Sequence, residues 1–373
     1  MASNDGKSLF TLEDFRLRAK EVLSPEAWAF YDDASGRRVT YRDSSAAFDR
    51  YVIRPRILCD VSKRSLSTSV LGQPISMPIC VGPTSNHRFA HPDAEVATAK
   101  GVADANTIFT LSSASNVSIA EVGRSSGRGL RWMQVYLVKN RQHNVHIVRE
   151  AERAGFTALV VTIDLPLIGD RTFSKKHTVG RYYDDPTLRP VNLAIDLPEV
   201  NTAIRSGDTN LRQYASAQWE RPMTWDDIQW LKSITKLPVV LKGILTGEAA
   251  REAADAGVSG IIVSAHGGRH IDGIPAPIDV LSEVVSAVKG QGLEVYLDGG
   301  VRSGTDVLKA LALGARAVFI GKPVLWGLAC DGAAGVTTVL SIIRREFDVA
   351  LGITGCTSPR DIPASLVTHK SRL

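Results

Sequence analysis

Between Gly260 and Gly273 the chain reads GIIVSAHGGRHIDG. It opens on Ile261-Ile262-Val263, an apolar run that predicts a buried parallel strand. It then breaks into Ser264-Ala265-His266-Gly267-Gly268-Arg269. Histidine moves a proton near neutral pH. Arginine grips a carboxylate through two parallel hydrogen bonds. The intervening glycines allow a sharp turn and the close approach of another molecule. A base and an anion clamp just past a buried strand can take a proton from a bound acid. A His and an Arg on a plain surface loop would read the same way in isolation, so the elements that position them decide the matter.

Those elements form a rhythm. Apolar runs recur at 77–82, 107–111, 131–135, 158–163, 237–241, 260–263, 293–297 and 317–320, with helical patterns between them, among them 91–106 and 140–154. The runs are continuous rather than alternating, as buried parallel strands require. Eight such strands with intervening helices predict an α/β fold, a (β/α)8 barrel. A doubly wound open sheet is the rival, and it lacks a GxGxxG after the first strand. Residues 9–31 predict two helices, the second begun by Pro25, whereas 37–75 read as irregular and polar. The expected organisation is one domain: an extension (1–75), the barrel (76–350) and a tail (351–373). A polar stretch after the fourth strand, about 173–223, is either a lid over the C-terminal face or a disordered surface loop.

In a barrel the residues just past each strand share one mouth. Here they are Thr84, Ser112, Gln134 with Tyr136, Thr162 with Asp164, Lys242, Ser264 with His266 and Arg269, Asp298 to Arg302, and Gly321 with Lys322. Polar groups behind eight apolar strands converge on a functional site. Asp298-Gly299-Gly300-Val301-Arg302-Ser303-Gly304 precedes a helix, and Gly321-Lys322 follows the next strand. Backbone N–H groups at a helix start plus two cations make a phosphate site. Lys242 and Gln134 suit a flavin: a cation steadies the reduced ring and an amide bonds its pyrimidine edge.

Composition narrows the partners. Lys+Arg is 44 against Asp+Glu 39, a net +5 with no charge run, so nucleic acid is not expected. No apolar run reaches about 18 residues and the start has no apolar signal region, so no membrane contact is expected. Cys59, Cys80, Cys330 and Cys356 stand far apart without a CxxC, which predicts reduced thiols, and no metal site is expected. The chain ends Ser371-Arg372-Leu373, a variant of the Ser-Lys-Leu peroxisomal address, with the cytoplasm as the alternative.

The motifs SAHGGRHID (264–272) and DGGVRSGTDVLKALALGA (298–315) resemble those of the FMN-dependent L-2-hydroxy-acid oxidase and dehydrogenase family, and the likeness runs from about residue 9 to the end. The resemblance implies FMN as cofactor and a 2-hydroxy acid oxidised to its 2-oxo acid, with O2 as acceptor and hydrogen peroxide as product. It leaves open another acceptor, as in a dehydrogenase or monooxygenase, or a catalytically impaired flavin-binding homologue. It implies His266 as base, Asp164 as its partner, Tyr136 as a substrate hydrogen-bond donor, and Arg269 with Arg171 as carboxylate clamp. The implied FMN contacts are Pro83, Thr84, Ser85, Ser112, Gln134, Thr162, Lys242, Ser264, Asp298, Gly299, Gly300, Val301, Arg302, Gly321 and Lys322. It also implies a homotetramer or homo-octamer. The departures concern the substrate. Counting back from Ala34, a substrate-contacting tyrosine of the family becomes Asp32, which would repel a carboxylate unless Tyr31 shifts register or the substrate carries a cation. Ala114 stands for a tryptophan, Asn86 for a methionine, Ala265 for an asparagine and Lys322 for a phosphate-site arginine. These changes imply a bulkier or more polar acid than glycolate, including one with an amine.

Overall fold

The computed structural model describes residues 9–167, 169, 171, 185–193 and 223–373. The chain enters through α1 (Leu12–Val22), started by a capping box between Thr11 and Asp14. Ser24 caps α2 (Pro25–Asp32), with Pro25 in its first turn. Next comes α3 (Val39–Ala46), which falls within the stretch expected to be irregular. Its sequence, VTYRDSSA, is rich in residues that disfavour helix interiors, and it starts from Arg38 at φ 64° with no side-chain cap. Tertiary bonds hold it instead. Thr40 N donates to Asp272 Oδ1 at 2.9 Å, and Thr40 Oγ1 accepts from Gly273 N at 2.9 Å.

Strand β1 (Tyr51–Ile53) pairs antiparallel with β12 (Val367–His369) near the other end of the chain. The hairpin β2 (Thr68–Val70) and β3 (Gln73–Ile75) contributes Val70 and Ile75 to a cluster with Trp132, Tyr296 and Phe319 inside the barrel. The barrel proper has β4 (Ile79–Val81), β5 (Ile108–Ser112), β6 (Leu130–Val135), β7 (Leu159–Thr162), β8 (Val239–Ile244), β9 (Gly260–Val263), β10 (Glu294–Asp298) and β11 (Ala317–Ile320). All neighbours are parallel, and β11 closes onto β4. Between the strands run α4 (Ala94–Asp104), α5 (Ile119–Ser125), α6 (Arg141–Arg153), α7 (Trp225–Ser233), α8 (Gly247–Asp255), α9 (Pro277–Ala287) and α10 (Gly304–Ala312). The fold is a (β/α)8 barrel, and its C-terminal mouth gathers the strand-end residues named above, with Ser264 and Asp164 set behind the cavity wall.

The last helix, α11 (Lys322–Ile353), has 32 residues and is long and apolar enough to cross a bilayer by length and composition. It leaves helical geometry at Asp331 and Gly332, and it packs on α4, α1 and α10. Most of its large apolar residues from Val324 to Leu351 belong to the core, with Val349 left exposed.

Most of the stretch about 173–223 lies outside the described residues. The described part, 185–193, is tied to the loop after β5. Val191 N donates to Ser115 O at 3.0 Å, Asn192 Nδ2 to Ser115 Oγ at 2.7 Å, and Asn116 Nδ2 to Leu188 O at 2.8 Å.

The contact between α3 and the barrel mouth is close. Gly300 has φ 82°, and a Cβ built there would overlap the Ser44 carbonyl oxygen. Gly300→Ala is therefore expected to lower unfolding stability by about 2–4 kcal/mol, combining backbone strain with overpacking. A urea midpoint shift at unchanged slope measures it. An alanine variant as stable as the parent would show that α3 is free to retreat.

Candidate active site

Past β9 the backbone turns through three residues of positive φ: His266 at 51°, Gly267 at 65° and Gly268 at 69°. A histidine in this region is strained, and such strain concentrates at functional sites. His266 N donates to Ser264 Oγ at 3.1 Å, and His266 Nδ1 lies 2.8 Å from Asp164 Oδ1. An ionised carboxylate only accepts, so Nδ1 carries the hydrogen and Nε2 keeps its lone pair. Burial pushes His266 well below the usual histidine range, and the positive charges of Lys242, Arg171 and Arg269 add to this. The ring is thus neutral and able to accept a proton. Burial raises Asp164, whereas Lys242 and His270 pull it down.

His270 was not singled out by the sequence, yet it packs edge-on against His266 with ring centroids 3.9 Å apart. Its Nε2 is 3.9 Å from Asp164 Oδ1. Neither ring nitrogen of His270, nor Asp164 Oδ2, has a hydrogen-bond partner among the described residues. The signal was present in the motif, where His270 follows Arg269 directly. The donor atoms of Asp164, His266 and His270 lie within 4.8 Å of one another, spacing that could hold a cation. The positive field of Lys242, Arg171 and Arg269 opposes one.

Arg269 lines the cavity, and its Nη1 also donates to Phe30 O at 3.0 Å and Asp33 O at 3.1 Å. The end of α2 is thereby docked beside the site. Arg171 Nε donates to Arg269 O at 3.2 Å, which places the second guanidinium against the first. Tyr136 lines the same cavity, and burial raises its phenol, so it remains a donor.

On the barrel side, Lys242 Nζ sits 3.5 Å from Asp298 Oδ2. Burial works against its charge, but Asp298 and Asp164 outweigh burial and raise its pKa. The Gln134 amide is oriented at both ends: Oε1 accepts from Ser113 N at 3.1 Å and Ser112 Oγ at 3.3 Å, and Nε2 donates to Thr162 Oγ1 at 2.9 Å. Thr84 Oγ1 meets His87 Nε2 at 2.7 Å, and burial pushes His87 down to about 3, so that support stays uncharged.

Gly299, Gly300, Val301 and Arg302 line the cavity beside Gly321 and Lys322, where α11 begins. Arg302 is held by Val301 O at 2.7 Å and by the Trp326 ring. Lys322 Nζ is buried without a hydrogen-bond partner among the described residues. A buried ammonium left orphaned at a helix N-terminus beside an arginine fits a phosphate dianion. The donor set as a whole therefore fits FMN: a phosphate cradle, a cation, an oriented amide and backbone at Pro83 to Ser85.

Three expected residues do not line the cavity. Asp32, expected to face the substrate, is turned onto Arg38 and Tyr41 and does not line the cavity. Tyr31 and Phe30 line the wall instead, with Tyr31 Oη donating to Asn86 O at 2.6 Å. Ser264, expected as an FMN contact, is fully buried and does not line the cavity; its hydroxyl supports His266 N and Asp298. Asp164 stands behind His266. Conversely Tyr41, Ser44, Ser45, Leu165 and Pro190 line the cavity unforeseen, the first three because α3 was not recognised.

A phosphate-binding parallel barrel with a neutral histidine base and paired arginines at one mouth defines a flavin-type oxidoreductase acting on an anionic substrate. The FMN-dependent dehydrogenase family matches residues 19–369, and the chain belongs to it. It is 44% identical over 360 residues to 2-hydroxyacid oxidase 1 of Homo sapiens, covering 96% of both chains. It is 45% identical to glycolate oxidase 1 of Oryza sativa subsp. indica, again over 96% of each. A peroxisomal (S)-2-hydroxyacid oxidase of Arabidopsis thaliana is 43% identical over 98% of each. Among solved structures, a mandelate oxidase variant with (S)-mandelic acid superposes with a TM-score of 0.83 at 34% identity, covering 97% of this chain and 98% of that one.

Proposed function

We infer that this protein is an FMN-dependent 2-hydroxy-acid oxidase. It converts a 2-hydroxy acid and O2 into the 2-oxo acid and hydrogen peroxide. The observation that carries the reading is the neutral His266, held on Asp164 at 2.8 Å, in one cavity with Arg171, Arg269 and the phosphate cradle. FMN, when bound, would supply the hydride acceptor and the route for two electrons to O2. The chain's own residues do the rest. Arg269 and Arg171 hold the substrate carboxylate, and Tyr136 donates to the substrate. His266 Nε2 takes the hydroxyl proton as the carbon–hydrogen bond breaks. Asp164 then faces an imidazolium, which its charge stabilises.

The cavity that holds the base also has apolar lining at Phe30, Ala114, Leu165 and Pro190. Ala114 leaves room where the family carries tryptophan. We therefore assign a substrate side chain larger than a hydrogen, branched or aryl. Asp32 offers no counter-charge to an amine on the substrate, because Arg38 neutralises it at 2.7 Å. The solved relative's (S)-mandelic acid is a ligand of this kind.

The purified protein is expected to be yellow and to bleach anaerobically with (S)-mandelate or a branched (S)-2-hydroxy acid more readily than with glycolate. In air it is expected to yield one peroxide per 2-oxo acid. Protein without flavin, or flavin that no 2-hydroxy acid reduces, sinks the reading. A peroxide yield well below one points to another acceptor. By likeness to the peroxisomal relative, we propose the peroxisome as location, with Ser371-Arg372-Leu373 as its address. Fluorescent fusions with and without Leu373 test it. A homotetramer or homo-octamer is proposed on the family resemblance and is read by light scattering.

A further inference from the structure

Two departures from the family pattern and a residue of α3 meet at one place. Lys322 replaces an arginine, Asp32 replaces a tyrosine, and Tyr41 comes from the helix that its own sequence scarcely supports. Lys322 Nζ lies 3.9 Å from the centroid of the Tyr41 ring, within cation–π range. The Tyr41 hydroxyl donates to Asp32 Oδ1 at 2.5 Å. Arg38 Nη2 donates to Asp32 Oδ2 at 2.7 Å and to Asp32 O at 2.7 Å, and its guanidinium carbon lies 4.5 Å from the same ring centroid.

We propose that Asp32, Arg38 and Tyr41 form one assembly with Lys322 that positions its ammonium for the cofactor phosphate and so sets FMN affinity, a role at the phosphate end of the site rather than at the acid-binding end. The proposal rests on the FMN reading above.

The physical reason is the size and charge of lysine. A lysine offers a point charge on a flexible stem, where an arginine offers a rigid fork. In this pocket burial disfavours the ammonium, and Arg269, Arg302 and Arg38 add repulsion. Of the charges acting on Lys322, Asp32 is the one that favours its protonated form. The Tyr41 face supplies attraction without needing a hydrogen bond. This leaves all three ammonium hydrogens for the phosphate. Burial, with Asp32 alongside, pushes the Tyr41 phenol up to about 12, so the hydroxyl stays protonated and donates. The chain of contacts is then complete: Arg38 neutralises Asp32, Asp32 holds the Tyr41 hydroxyl, and the Tyr41 ring supports Lys322. Neither Asp32 oxygen is left facing the cavity. Thr40, next to Tyr41, is bonded to Asp272 at 2.9 Å, which fixes the ring's position from the barrel side.

The test compares FMN with riboflavin, which has the same ring system and no phosphate, by flavin fluorescence on apo-protein. Tyr41→Leu is expected to weaken FMN about tenfold, the scale of one desolvated cation–π contact, with riboflavin affinity unchanged. Tyr41→Phe keeps the ring and loses the bond to Asp32, so a smaller loss in the same direction is expected, as for Asp32→Asn. These conservative variants decide the matter if the leucine variant does not fold. Equal losses for both flavins would reduce Tyr41 to packing and overturn the proposal. So would an Asp32→Asn variant that shifts KM for the hydroxy acid at saturating FMN while keeping the parent's FMN-to-riboflavin ratio. A parent protein that binds riboflavin as tightly as FMN would instead sink the phosphate reading itself.

Discussion

His266→Gln is expected to lower kcat/KM for the 2-hydroxy acid by about 10⁴-fold, the upper range for losing a positioned general base. Flavin binding is expected to persist, because the phosphate cradle and Gln134 lie on other strands. Glutamine keeps a donor for Asp164 but has no group that accepts and holds a proton. The loss corresponds to about 5.5 kcal/mol of transition-state stabilisation. The pH profile of the parent follows from the same surroundings. The depressed pKa of His266 means that it is unprotonated at and below neutral pH. Activity is fully present above that pKa and is lost as pH falls through it. In kcat/KM, the acid limb should therefore lie below the ordinary histidine value of about 6.5. It should vanish in the glutamine variant's residual rate. A limb that survives His266→Gln would assign the titration to another group, with His270 and Asp164 as the neighbours to examine.

The barrel was legible because its physics leaves a local mark. Strands covered on both faces become unbroken apolar runs, and β9 and β11 begin and end where those runs do. The strand-end residues followed from that, since the fold delivers them to one mouth. What escaped reading depends on distant contacts. The helix α3 has no apolar stripe, and its first turn is held by Asp272 from the far side of the chain. With it went Tyr41, Ser44 and Ser45. Asp32 illustrates a different limit. Counting along the chain places a residue on the right turn of α2 but does not give its rotamer. The salt bridge to Arg38 at 2.7 Å, from the residue just before α3, turns the carboxylate away. Arg269 likewise has a structural duty that its motif does not announce, the two bonds to Phe30 O and Asp33 O.

Asp164→Asn is expected to lower kcat by about 10³-fold, or about 4 kcal/mol, with a smaller change in KM. Two effects of the carboxylate are removed at once. It accepts from His266 Nδ1 and so keeps the lone pair on Nε2, and it stabilises the imidazolium formed when the substrate proton arrives. An asparagine amide can donate to Nδ1, which would place the histidine's hydrogen on Nε2 and block the base. Asp164→Ala separates the two effects, because it removes the charge without imposing a tautomer. If tautomer control dominates, the alanine variant retains more activity than the asparagine variant. If charge dominates, the two are equally slow. His270 gives the comparison a second handle. It sits 3.9 Å from Asp164 Oδ1 and against the His266 ring. Once Asp164 is alanine, His270 is the nearest remaining imidazole to His266, so Asp164→Ala combined with His270→Gln shows whether the second ring relays the proton. Additive losses mean that it does not. A double variant slower than the sum of the two predicts means that it does.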